Sequence, residues 1–116
     1  MIYFIEIWNA KQAWLDLSTE ERGHYVQQVG THIQKLLDAG VKVLTWSNNE
    51  AETSFRADFD YFAIWTFPNH DLANQFQELV EGAGWYNYFE QTNLMGQEDN
   101  AQNILGQLVN LQASNA

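Results

Sequence analysis

Glu6 is the residue whose setting most suggests chemistry. It stands between Phe4 and Trp8 in the run Ile2-Tyr3-Phe4-Ile5-Glu6-Ile7-Trp8, where strand alternation puts all three on one face. A carboxylate among aromatic rings is costly to bury unpaired, so either its pKa rises or a cation meets it. A raised carboxylate in such a place suits a general base or a substrate anchor. The alternative is a carboxylate in a dimer interface, paired with Tyr61, Trp46 or Arg56. His32 is the second candidate for acid–base work, because imidazole titrates near neutrality. A histidine bordering a helix–sheet core is more often simply hydrogen-bonded in place. Arg56, one of two arginines, lies in the long polar stretch Ser47 to Asp58, and unstructured loops of about 12 residues are uncommon without a function. It could clamp an anionic substrate bidentately, but the surplus of acids favours a pairing with Asp58 or Asp60. Tyr88 and Glu90 share a face by alternation, and a Glu90 turned towards Glu6 would push one of the two pKa values up.

Other chemistries are thinly represented. The chain has no cysteine, so disulfides, zinc–thiolate sites, iron–sulfur clusters and thiol nucleophiles fall away. His24 and His32 are eight residues apart, about 12 Å along a helix, too far to share a metal ion. Asp58-Phe59-Asp60 is a weak metal signal by itself. No HExxH, P-loop, GxGxxG or GxSxG pattern occurs. We therefore expect no metal and no cofactor. Fifteen acids against five bases give a net charge of -10, which repels phosphate backbones and anionic lipid surfaces, so no nucleic acid and no membrane are expected as partners. No apolar stretch reaches the roughly 18 residues of a membrane span, and the N-terminal run reads as a strand rather than a signal peptide. A cytoplasmic location is the default expectation.

The elements that must position these residues follow from periodicity. The chain's 116 residues, 46% of them hydrophobic, suit one globular domain. Ile2 to Trp8 has strand composition. Ser18-Thr19-Glu20-Glu21 is a capping box, and the helix after it carries Tyr25, Val26, Val29, Ile33, Leu36 and Leu37 on one stripe. Gly40 ends that helix. Val41 to Ser47 and Phe59 to Phe67 read as strands, and Pro68 breaks the second of them. Asn69 or Asp71 opens a second helix with Leu72, Ala73, Phe76, Leu79, Val80 and Ala83 on its stripe, closed by Gly84. Tyr86 to Leu94 reads as a fourth, aromatic strand. A short amphipathic helix with Ala101, Ile104, Leu105, Leu108 and Leu111 on one face follows a polar break.

The order β-α-β-β-α-β predicts an α+β, ferredoxin-like fold: a four-stranded antiparallel sheet with both helices on one face. We divide the chain into that domain, residues 1–96, and a C-terminal helix and tail, 97–116. Aliphatic residues suit packing under helices, so Ile5, Ile7, Val43, Phe62 and Ile64 are assigned to the helix side. The open face then carries Phe4, Glu6, Trp8, Leu44, Trp46, Tyr61, Ala63, Trp65 and Phe67. That much contiguous apolar surface needs a cover.

Residues 2–95 resemble the dimeric α/β-barrel superfamily through this element order. Tyr3-Phe4-Ile5-Glu6-Ile7-Trp8-Asn9, Arg56-Ala57-Asp58-Phe59-Asp60-Tyr61-Phe62 and Gly84-Trp85-Tyr86-Asn87-Tyr88-Phe89-Glu90-Gln91 are also similar to an uncharacterised group of small bacterial proteins within it. The resemblance implies a homodimeric barrel with a small-ligand cavity in each protomer. Its monooxygenases use an Asn on the first strand and a Trp on the third, which Asn9 and Trp65 roughly match. Its haem-degrading members add a His in the middle of the second helix, where this chain has Phe76 and Gln77.

These observations give two expectations. One is a small-molecule binder, by analogy a cofactor-independent monooxygenase-like or proton-transfer enzyme, acting on a flat apolar ligand. Glu6 and His32 would be catalytic, with Trp8, Trp46, Arg56, Tyr61, Trp65, Tyr88 and Glu90 around the ligand. The other is a non-catalytic homodimer whose aromatic face is only an interface.

Overall fold

The computed structural model describes residues 1–113. Its elements are β1 (Ile2–Ala10), α1 (Gln12–Leu15), α2 (Thr19–Asp38), β2 (Lys42–Asn48), β3 (Tyr61–Phe67), α3 (His70–Gly82), α4 (Trp85–Tyr88), β4 (Phe89–Gln97) and α5 (Ala101–Val109). The sheet is antiparallel in the order β2-β3-β1-β4, the ferredoxin-like arrangement expected from the element order. The capping box forms as the sequence predicts: Ser18 Oγ accepts from the Glu21 amide, and Glu21 accepts from the Ser18 amide. Of the two proposed caps for α3, Asn69 is the one used, its side chain accepting from the Leu72 amide.

The assignment of the sheet faces is reversed by the structure. Phe4, Trp8, Ala63, Trp65 and Phe67 lie buried beneath the helices, in one core with Leu36, Ala73, Phe76 and Val80. Ile5, Ile7, Phe62 and Ile64 occupy the open face and are half-buried. Ring volume explains the outcome. An aromatic side chain buries about 150–250 Å², so covering the aromatic face removes the most apolar surface from water. Of the three α3 residues buried against the sheet, Ala73, Phe76 and Val80, the small Ala73 leaves room for rings. Phe76 fills the centre, its ring centroid 5.6 Å from Phe4, 4.8 Å from Trp65 and 5.3 Å from Phe67. The chain's own helices thus cover the aromatic face except at its β2 edge, where Trp46 and Tyr61 stay partly exposed, and that face is not a dimer interface.

Two local features redirect side chains that simple alternation misplaces. A bulge in β2 lets both Val43 and Trp46 face the helices, opposite Trp65 and Ala63, while Leu44 is left exposed. Val43 thus keeps its expected helix side, whereas Trp46, expected on the open face, does not. The segment Trp85–Tyr88 is a helical turn rather than the start of the fourth strand. Gly84 begins it at φ +77, a left-handed backbone that any other residue adopts at a cost of about 1–2 kcal/mol. Alternation therefore fails for Tyr86 and Tyr88 and holds from Phe89 onwards. Phe89, Gln91 and Asn93 face the helix side, and Glu90, Thr92 and Leu94 the open side.

α5 lies beyond this body. Ile104, Leu105, Leu108 and Val109 are all exposed, and the radius of gyration is 17.1 Å, against about 13 Å for a compact chain of this length.

Face assignment can be tested by mutation. Phe4→Ala should cost about 3–5 kcal/mol in urea unfolding, whereas Ile64→Thr should cost under about 1.5 kcal/mol. The opposite ranking would put the aliphatic face under the helices.

Candidate functional site

Glu6 sits mid-strand on β1, between Ala63 of β3 and Asn93 of β4, with 4% of its surface exposed. Its Oε1 accepts from Trp65 Nε1 at 2.7 Å and its Oε2 from Gln91 Nε2 at 2.8 Å. Gln91 Oε1 in turn accepts from Trp85 Nε1 at 2.7 Å. The amide orientation follows from chemistry, since an indole N–H can only donate and the Gln91 atom facing Trp85 must be oxygen. Gln91 Nε2 also donates to Asn93 Oδ1, and Asn93 Nδ2 to the Tyr86 hydroxyl. The chain of donors from Trp85 through Gln91 thus ends on Glu6, as does the one from Trp65.

No cation takes part. Lys11 donates to the Tyr86 carbonyl, Arg22 to the carbonyls of Trp14 and Leu15, and Arg56 to those of Asn49, Glu50 and Phe59. Lys35 and Lys42 are exposed. The one ion pair among the described residues is Arg56–Asp60 at 3.9 Å. Burial therefore raises the Glu6 pKa above its ordinary value, and the bonds from Gln91 and Trp65 pull it part of the way back.

Glu6 closes the inner end of a pocket between the sheet and helices α2 and α3. That end is lined by Val29, Ile33, Trp46, Trp65, Phe76, Val80 and Trp85 and has room of about 20 Å³, enough for one water-sized group. Val29, Ile33, Trp46 and Trp85 also line an adjoining, more open cleft of about 280 Å³, together with Val26 and Gly30. Glu6 is the sole ionisable group on the walls of the two.

Of the residues singled out in the sequence, Glu6, Trp46 and Trp65 meet here. Trp8 is buried behind them, 5.5 Å from Trp46 and 6.1 Å from Trp85, and Tyr61 stacks on Trp8. The others are held elsewhere. His32 is exposed and lines a separate hollow with Leu79, Gly82 and Ala83, because its place on α2 is one step off the stripe that meets the sheet. Arg56 pins the β2–β3 loop, its guanidinium spent on backbone carbonyls. Tyr88 packs with Trp14 and Tyr25 beside α1. Glu90 is exposed on the opposite sheet face, across from Asn9, so it does not share a site with Glu6. Asn9 clamps the same loop, donating to the Asp58 carbonyl and accepting from the Asp60 amide. Sequence reasoning missed Trp85 and Gln91 as members of the site. The signal was Gly84, whose helix-ending position also allowed a second turn.

The carboxyl network makes a pH prediction. Folded Glu6 holds its proton to higher pH than unfolded Glu6, so the folded state binds more protons in a window that opens near the ordinary value of 4.5. Stability supplied by this group is complete below the window and falls as pH rises through it. The unfolding free energy of wild type minus that of Glu6→Gln should therefore decline from pH 4.5 upwards. In acid the variant should be about 1–3 kcal/mol less stable, because its amide sets donor against donor at Gln91. A difference independent of pH would show that Glu6 is not held in the buried state described.

The fold is shared with solved structures. A protein provisionally named chlorite dismutase TA0507 superposes with a TM-score of 0.64 at 17% identity, over 92% of this chain and 47% of its own. This chain thus spans about half the length of TA0507. Protein Atu4242 from Agrobacterium tumefaciens aligns at 18% identity and a TM-score of 0.48, over 87% of this chain and 96% of its own. No curated protein matches the chain. The sequence matches one family model over residues 1–111, and the chain therefore belongs to that family, a family of unknown function (DUF6616).

Proposed function

We propose that this protein binds a flat, largely apolar small molecule in the pocket between its sheet and helices, with Glu6 as the polar anchor. One observation carries this reading: a nearly fully buried carboxyl group with no protein cation lines an otherwise apolar cavity that opens to solvent. Most ligand pockets combine apolar walls with a few placed polar groups in this way. The structure's own hydrogen bonds leave one lone pair on each Glu6 oxygen for a ligand donor. The reaction class that fits the same group is proton transfer, since a carboxyl whose pKa is raised by burial can hold or take a proton nearer neutrality. Monooxygenase-like chemistry remains the activity implied by superfamily resemblance, and Trp65 is the residue of that pattern that lies in the pocket.

We further propose that two copies pair through the open sheet face. Its centre, Ile5, Ile7, Phe62, Ile64 and Leu94, is uncharged, and charge stands only at its rim, at Lys42, Glu90 and Glu98. In a chain of net charge -10, an uncharged apolar face is where a second copy meets least repulsion. α5 carries no charged residue either, and a helix of that length is marginal alone in water. Its exposed stripe extends the same interface.

The pocket is tested by fluorescence titration of the chain's indoles with 2-naphthol, a flat ring system bearing one donor. Saturable quenching is expected in wild type, with at least tenfold weaker binding in Val29→Trp, which fills the cavity. Equal binding by both proteins would place the ligand elsewhere. Pairing is tested by sedimentation velocity. Wild type should run as a dimer at micromolar concentration and Ile64→Glu as a monomer, and a monomeric wild type would remove the dimer.

A further inference from the structure

We propose that the natural ligand of the Glu6 pocket is a protonated amine, an aryl-alkylammonium whose nitrogen sits against Glu6 and whose ring lies among Trp46, Trp65 and Trp85. This rests on the pocket being a binding site and names the class of molecule it takes.

The first argument is the missing counter-ion. Each of the five basic side chains is committed elsewhere or exposed, and both partners of Glu6 are neutral N–H donors. A buried carboxylate is best compensated by a charge with its own donors. An ammonium brings both, and the chain leaves that role to a ligand. The second argument is size. The space beside Glu6 holds one water-sized group, which suits a primary ammonium and excludes a bulky head. The adjoining cleft has about 280 Å³ between Trp46, Trp85 and the valines and glycine of α2, room for a ring on a short linker.

The third argument is electrostatic. Three indoles line the inner end, and indole is the aromatic side chain that attracts organic cations most strongly. The net charge of -10 draws cations towards the protein and repels anions. A neutral alcohol would satisfy a Glu6 lone pair but would leave the buried charge uncompensated. An anion would face both Glu6 and the field of the whole chain.

The test is a matched series at low salt near pH 7.5, read by indole fluorescence: 2-phenylethylammonium, 2-phenylethanol and 3-phenylpropionate. The ammonium should bind at least about tenfold more tightly than the alcohol, the change worth one decade in Kd, and the carboxylate should not bind measurably. Glu6→Gln should erase the difference between ammonium and alcohol. If the alcohol binds as well as the ammonium in wild type, or if 2-naphthol binds and none of the three does, the amine assignment is overturned while the pocket stands. If neither 2-naphthol nor any of the three binds, the pocket reading fails with it. The wild-type series decides the matter even where the variant folds poorly.

Discussion

A carboxyl group buried without a cation is the constraint around which this protein is arranged. Leaving Glu6 unpaired in an apolar core would cost several kcal/mol, so the fold must bring it donors from both neighbouring strands. Trp65 supplies one from β3 and Gln91 the other from β4. Gln91 can do so only because Trp85 takes its carbonyl oxygen. Trp85 reaches it because the chain leaves α3 through a left-handed glycine and makes one more helical turn before β4 begins. Each step is local, yet together they tie three strands and the α3–β4 connection to one pair of oxygens.

The same arrangement makes a pocket rather than a solid core. Under α2 the layer is lined by aliphatic groups of the helix facing indoles of the sheet and of the α3–β4 turn. Between them the sheet beneath α2 keeps a space with Val29 and Ile33 on one wall and Trp46 and Trp85 on the other. Phe76 and the rings around it make the other half of the layer dense. One face of a single sheet thus carries a packed aromatic core under α3 and an open-ended cavity under α2, with Glu6 at their boundary. The face behind it is largely aliphatic and uncharged at its centre.

Much of this was legible in the sequence. Element order, the capping box before α2, the stripes of α2 and α3 and the isolation of Glu6 among aromatics all follow from patterns of period 3.6 and 2. The face assignment did not, because alternation says which residues share a side but not which side the helices choose. Ile5 and Ile64 look like core, and ring volume at Phe4, Trp65 and Phe67 outweighs them. The partners of Glu6 were hidden for a different reason. The turn at Trp85–Tyr88 shifts the phase of β4, so Gln91 joins the site and Glu90 leaves it. Arg56 and Asn9, read for chemistry, are spent on a loop whose carbonyls needed donors, a demand visible only once the chain is folded.

The central claim is that Glu6 is a buried, cation-free carboxyl opening on a ligand cavity. The most direct measurement is an NMR titration of its side-chain carboxyl carbon, in protein labelled at glutamate, with and without saturating 2-phenylethylammonium. The account predicts an inflection above the range of the exposed acids in the free protein, and a clear fall in that inflection when the ammonium is bound. An inflection shared with the exposed acids and unmoved by the probe would contradict it.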